Sequence, residues 1–226
     1  TFKVEKGITK PVYKISDFSN QEEADRNTRR IICPYRFDKK GVHPIPESAM
    51  KENFPGCYKY LLSQKAVLQN RDKGKHEFSP FYAWGRTQGL SKRGKKLLTP
   101  TFSQHPRFFQ VIEEDAYFTN GYGIYFKQQS NDLFPGTANP LADEANIDVV
   151  KKILNSGVMD YYVRKTSVTI AGGYPCYQKN FIERFTIPDL SKADIEMLRQ
   201  KNDKEAIDQF LLEKYQLNIP EPNLLT

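Results

Sequence analysis

Between about Lys96 and Gln129 every apolar run is too short for a helix and is closed by a breaker. Leu97-Leu98-Thr99, Phe108-Phe109-Gln110-Val111-Ile112, Tyr117-Phe118-Thr119 and Ile124-Tyr125-Phe126 are rich in aliphatic, β-branched and aromatic residues. They are separated by proline, by acidic residues and by Asn-Gly. That texture predicts an antiparallel meander of short strands. Asn120-Gly121 is a hairpin-type dipeptide, and Gly121-Tyr122-Gly123 is expected to be a turn.

The flanking segments carry helical patterns. Upstream, Val12-Tyr13-Lys14-Ile15 and Arg30-Ile31-Ile32-Cys33-Pro34-Tyr35 are strand candidates, the second stopped by Pro34, with a turn at Asp38-Lys39-Lys40-Gly41. A helix is expected over 55–71, opened by Pro55 and ended by a basic turn and Gly74. After a loop over 134–140, a second helix is expected over 143–164, with Ile147, Val150, Ile153, Leu154, Val158 and Tyr161 on one face. Ala171-Gly172-Gly173-Tyr174-Pro175 reads as a loop. Short helices over 192–200, capped by Ser191, and 203–217 follow. The predicted class is α+β: small antiparallel sheets with packed helices.

With 38% hydrophobic and 27% charged residues in 226, the chain has the balance of a globular protein rather than a disordered one. No apolar run approaches the roughly 20 residues that span a bilayer. Cys33, Cys57 and Cys176 are odd in number and lack metal-knuckle spacing, so three reduced thiols and a cytoplasmic setting are expected. The first residue is not Met, and the chain reads as a piece of a longer protein. A formal net charge of +7 favours polyanionic partners, and where it sits matters more than its size.

Two segments concentrate cations among small and polar residues. The first runs from Tyr82 to Lys96 and offers Arg86, Gln88, Lys92, Arg93, Lys95 and Lys96 around Trp84. Lys and Arg neutralise phosphates, glycines let main-chain donors approach closely, and Arg86 and Gln88 suit guanine and adenine edges. The plain alternative is a solvated basic loop with Trp84 in the core. The second runs from Tyr161 to Asn180 and offers Arg164, Lys165, Thr166, Tyr174, Gln178 and Lys179. Its plain alternative is an ordinary turn after a helix.

Motifs for catalysis are weak. Cys33-Pro34-Tyr35 lacks the amide or carboxylate of an Asn/Asp-Pro-Pro-Tyr/Phe tetrapeptide. Pro188-Asp189 is not followed by a strand-borne Glu-x-Lys, and His43, His76 and His105 are scattered. No catalytic residue and no metal ligand is expected.

An ordered series of fragments carries a resemblance. It comprises Ile32-Cys33-Pro34-Tyr35; Pro55 with Tyr60-Leu61-Leu62 and Leu68-Gln69-Asn70-Arg71-Asp72; Trp84-Gly85-Arg86-Thr87-Gln88; and Pro100 with Pro106-Arg107-Phe108-Phe109. Ile153-Leu154-Asn155-Ser156, Tyr161-Tyr162, Gly172-Gly173-Tyr174, Lys179-Asn180-Phe181-Ile182 and Ile187-Pro188 complete it. In order and spacing, residues 31–188 resemble the TaqI-like C-terminal specificity domain of adenine DNA methyltransferases in type IIG and related restriction–modification enzymes. The resemblance implies a target recognition domain over 31–188, a lead-in over 1–30 from a preceding catalytic domain, and a helical extension over 189–226. It implies double-stranded DNA and that methyltransferase domain as partners. S-adenosylmethionine would be held outside this chain, where a flipped adenine is methylated. A docking module for a protein partner, or an RNA-binding module using Tyr174 and Tyr177 for stacking, are the other readings.

Overall fold

A computed structural model describes residues 2–126, 139–170 and 172–218. Phe134-Pro135-Gly136, Ala171 and the end of the expected C-terminal extension lie outside them.

The strands are short and, wherever a register is defined, antiparallel. In chain order they are β1 (Thr9–Lys14), β2 (Arg30–Ile32), β3 (Tyr35–Asp38), β4 (Gly41–Pro44), β5 (Lys96–Pro100), β6 (Phe109–Val111), β7 (Tyr117–Thr119), β8 (Gly121–Tyr125), β9 (Thr169–Ile170) and β10 (Tyr174–Pro175). They form sheets of order β2-β1-β7, β3-β4, β6-β5-β8 and β10-β9.

The expected meander is replaced by a different arrangement. β5 is the central strand, with Lys96 opposite Val111 of β6 and Leu97 opposite Ile124 of β8. β7 belongs to another sheet, so Asn120, at φ 64, carries the chain from one sheet to the next rather than closing a hairpin. Gly121-Tyr122-Gly123 lies inside β8 and is not a turn. Its glycines are required by crowding: a Cβ at Gly121 would stand 2.2 Å from the Thr99 carbonyl oxygen, and one at Gly123 would stand 2.8 Å from the Phe118 ring.

The helices are α1 (Gln21–Asp25), α2 (Glu47–Asn53), α3 (Pro55–Ser63), α4 (Lys65–Gln69), α5 (Ile147–Leu154), α6 (Gly157–Thr166), α7 (Lys179–Ile182), α8 (Lys192–Gln200) and α9 (Lys204–Tyr215). Both long helices expected from the sequence are broken in two. The first stops at Gln64, at φ −101 and ψ 5. The second stops at Asn155, whose side chain accepts the Phe108 N–H at 2.8 Å and donates to the Phe108 carbonyl at 3.0 Å. Ser156 then restarts it, its Oγ accepting the Met159 N–H at 3.2 Å. At the C-terminal end Ser191 and Asp194 complete a capping box on α8, and Asp203 caps α9.

The chain divides into two compact units. Unit 1 comprises Thr1–Val12, Thr28–Arg93 and Asp115–Tyr117; unit 2 comprises Tyr13–Asn27, Gly94–Glu114 and Phe118–Thr226. The core of unit 1 gathers Ile8, Met50, Cys57, Leu61, Phe81 and Tyr82. Glu5 fixes the start of α3 there, its carboxylate accepting the Gly56 and Cys57 N–H groups at 2.8 and 2.9 Å. Its own backbone amide, followed by these two bonds, holds its carboxyl below the usual range. Unit 2 packs β5 and α5, α6, α8 and α9 around Leu97, Val149, Ile153, Met159, Tyr177, Leu198 and Leu211. Each such side chain contributes about 1.5–3 kcal/mol by leaving water. All three cysteines are buried and free. Among the described residues no helix is long and apolar enough to cross a membrane.

Candidate nucleic-acid interface

The first basic segment stands on an aromatic base inside unit 1. Trp84 meets Tyr35 and Tyr117 edge to face, each pair of ring centres 5.6 Å apart. The Trp84 backbone N–H donates to Tyr35 Oη at 2.5 Å. Tyr117 Oη donates to the Leu90 carbonyl at 3.2 Å, and burial pushes this phenol up to about 12, so it stays a neutral donor. Gly89, at φ 81, supplies a left-handed residue in the loop above. Trp84 is thus half-buried support, and Gly85 to Gly89 face solvent.

The six candidates of this segment separate into different roles. Arg86 and Gln88 are exposed, with no hydrogen-bond or ion-pair partner among the described residues. Lys92 is also exposed. Arg93 faces inward: Nη1 donates to the Leu90 and Lys92 carbonyls at 2.6 and 3.0 Å, and Nη2 donates to Tyr117 Oη at 3.3 Å. Its guanidinium also lies 4.3 Å from the Phe37 ring centre. Lys95 pairs with Glu144 at 3.0 Å. Lys96 is 0% exposed, because it begins the central strand β5. Its ammonium donates to the Glu113 and Glu114 carbonyls at 2.9 and 3.1 Å, which satisfies a buried charge and removes it from any surface contact.

Arg86 also lines an open groove of about 750 Å³ with Gly85, Arg71, Asp72, Lys73, Lys75, His76 and Phe78. The sequence shows residues 71–75 only as a basic helix end. Their meeting with Arg86 depends on how the chain returns after Phe78, and no local signal announces it.

The division into units also divides the charge. Unit 1 holds 17 Lys and Arg against 7 Asp and Glu, an excess of +10; unit 2 holds 17 against 20, or −3, which together give the chain's +7. The cationic field belongs to unit 1.

In unit 2 the second segment is a hairpin rather than a loop. β9 and β10 pair, Ile170 opposite Tyr174, and Gly172 and Gly173 at φ 91 and 79 form part of its turn. Arg164 anchors it from inside: Nε donates to Asp160 Oδ2 at 3.2 Å and Nη2 donates to the Gln104 carbonyl at 2.5 Å. The buried Asp160 also accepts Tyr177 Oη at 3.3 Å, and burial raises the Tyr177 phenol. Gln104 Nε2 in turn donates to the Gly172 carbonyl at 3.2 Å. Lys165, Thr166 and Lys179 are exposed, Thr166 Oγ1 donating to the Tyr162 carbonyl and Lys179 lying 3.5 Å from Glu183. Gln178 is half-buried at the start of α7, and Tyr174 is 42% exposed. Tyr177, a stacking candidate in the sequence, is fully buried and offers no face to an unpaired base.

His43, His76 and His105 lie 3.5, 3.9 and 3.5 Å from Asp38, Asp72 and Asp160. Among the described residues no three His, Cys, Asp or Glu side chains converge as a metal site would require.

No protein-family profile matches the chain. It is 21% identical over 204 residues to the type II methyltransferase M.BstVI of Geobacillus stearothermophilus, covering 87% of this chain and 32% of that protein. The chain therefore spans about a third of the length of that relative.

Proposed function

We propose that this chain binds double-stranded DNA as the target-recognition part of an adenine-specific restriction–modification methyltransferase. The observation that carries the reading is the exposed pair Arg86 and Gln88, whose side chains have no hydrogen-bond or ion-pair partner among the described residues and which stand on the more basic of the two units. The likeness to part of a type II methyltransferase supports it independently. On this reading the catalytic domain lies in the rest of the parent protein. It binds S-adenosylmethionine and methylates an extruded adenine, while the present residues hold the duplex and choose the site.

The division of labour follows from the chemistry. Exposed cations such as Arg86, Lys92, Lys165 and Lys179 neutralise phosphates and set affinity. Gln88 and Tyr174 are the polar and aromatic side chains available for groove contacts. Arg93, Lys95, Lys96 and Arg164 hold the loops in shape instead of touching DNA.

Titrating the chain with a pool of random duplexes at two salt concentrations tests the proposal. With about five to eight phosphates neutralised, log affinity falls with log salt at a slope of about −4.5 to −7. Salt-insensitive association, or preference for single-stranded RNA over duplex, would sink it. No binding at low salt would favour the docking-module reading.

A further inference from the structure

The groove in unit 1 has a lining unlike that of a small-molecule pocket. Four of its residues are Arg or Lys, against the single carboxylate of Asp72, which leaves three positive charges in surplus with His76 neutral. Arg71 is committed to the fold: Nε donates to the Leu68 carbonyl at 2.6 Å, Nη2 donates to the Phe81 carbonyl at 2.9 Å, and the guanidinium covers the Phe78 ring at 4.2 Å. Lys73, Lys75 and Arg86 are exposed, and their side chains have no hydrogen-bond or ion-pair partner among the described residues.

The backbone that presents two of these cations is strained. Asp72, Lys73 and Gly74 are consecutive left-handed residues, at φ 53, 58 and 69. Glycine tolerates this freely and aspartate tolerates it moderately, but lysine loses about 1–2 kcal/mol. Strain of this kind persists where neighbouring structure imposes it, and it concentrates at functional sites. Here the two Arg71 hydrogen bonds fix the start of the turn.

We propose that the groove is a cradle for the DNA phosphate backbone, with Lys73, Lys75 and Arg86 as its three phosphate contacts. This rests on the reading that the chain binds duplex DNA, and it gives Arg86 to the backbone alone, not to the guanine edge that its side chain would also suit. The free groups are all donors with no acceptor capacity, which matches phosphate oxygens; base edges present donors as well as acceptors. Asp72, the one acceptor among the charged groups, lies 3.9 Å from His76. The Phe78 ring already carries Arg71 on a face, so the groove is not built as a base-stacking slot.

The test compares the unaltered chain with two triple variants. K73Q/K75Q/R86Q empties the groove of free charge, and K39Q/K40Q/K59Q removes three exposed cations elsewhere in unit 1. Each is titrated with the random duplex pool across salt, and the retained DNA is sequenced. The groove variant is expected to flatten the salt slope by about 2.7 and to weaken binding on the order of a hundredfold at 0.1 M salt, with sequence enrichment unchanged. The control is expected to stay within a few-fold of the unaltered chain. Equal losses in both variants would overturn the groove by assigning the effect to net charge. An altered enrichment would overturn the backbone assignment. Full binding by the groove variant would sink the cradle and leave the duplex reading standing. Failure of the unaltered chain to bind duplex would remove both. Thermal unfolding of each variant shows whether a loss of binding is a loss of fold.

Discussion

Arg86 and Arg93 share one loop and do opposite work, which only their surroundings reveal. Arg93 is wrapped by two carbonyls, a phenol and an aromatic ring, so Arg93→Ala should lower unfolding free energy by about 2 kcal/mol in a urea titration. Arg86 has no hydrogen-bond or ion-pair partner among the described residues, so Arg86→Ala should leave stability within about 0.5 kcal/mol while weakening duplex binding. A melting temperature that drops as far for Arg86→Ala as for Arg93→Ala would contradict this split. Lys73→Gly should do something less common, because glycine removes the left-handed penalty together with the charge. It should raise unfolding free energy by about 1 kcal/mol and reduce DNA affinity, the two changes running in opposite directions. In sequence these cations look alike. Lys96 ends a basic run by its neighbours and begins a buried strand by its position, and composition alone does not separate the two.

At the scale of elements, what the sequence shows depends on whether the partner is local. The ends of α8 and α9 are legible because Ser191, Asp194 and Asp203 act within one turn. The break between α5 and α6 is not, because it is made by Asn155 bridging the backbone of Phe108, 47 residues away. The apolar stripe runs across the break unchanged, so periodicity alone predicts one helix. Ser156→Ala should cost about 1 kcal/mol by uncapping α6, measured by chemical denaturation. The same helix start is held by Asp208, which accepts the Gly157 N–H at 2.7 Å. Burial raises the Asp208 carboxyl despite that bond. Its contribution is therefore fully present below the unfolded carboxylate value and is lost as pH rises through the raised folded value. Asp208→Asn keeps the acceptor and removes the charge, so it should match the unaltered protein at low pH and gain on it as pH rises. A stability difference that does not change with pH would refute that assignment. The strand texture of 96–129 gave the α+β class correctly, but the pairing order depends on which strand the helices cover.

For the whole molecule, the net charge of +7 conceals a contrast. Unit 1 alone carries +10, and unit 2 is slightly acidic. The sequence could not show this, because unit 1 is assembled from three separated stretches of chain. The last stretch, Asp115–Tyr117, is short but holds two anchors. Asp115 meets Lys10 at 2.5 Å, and Tyr117 receives Trp84 and Arg93. A peptide ending at Arg93 lacks both, and one starting at Gly94 lacks Tyr13–Asn27 of unit 2. Neither should show a cooperative melting transition by circular dichroism when made alone. A sharp transition from 1–93 would show that the short stretch is dispensable.

On the proposed reading, that connectivity bears on how a chain of this kind could acquire a new DNA target. A recombination event with two crossover points exchanges one contiguous stretch. Here such an exchange over 28–93 imports the loop of Arg86 and the groove, yet leaves Asp115 and Tyr117 to be supplied by the recipient. Chimaeras should therefore tolerate divergent Lys73, Lys75 and Arg86 far better than a mismatch between Trp84 and Tyr117. Heritable change of target would proceed by surface substitution more readily than by exchange of a whole unit.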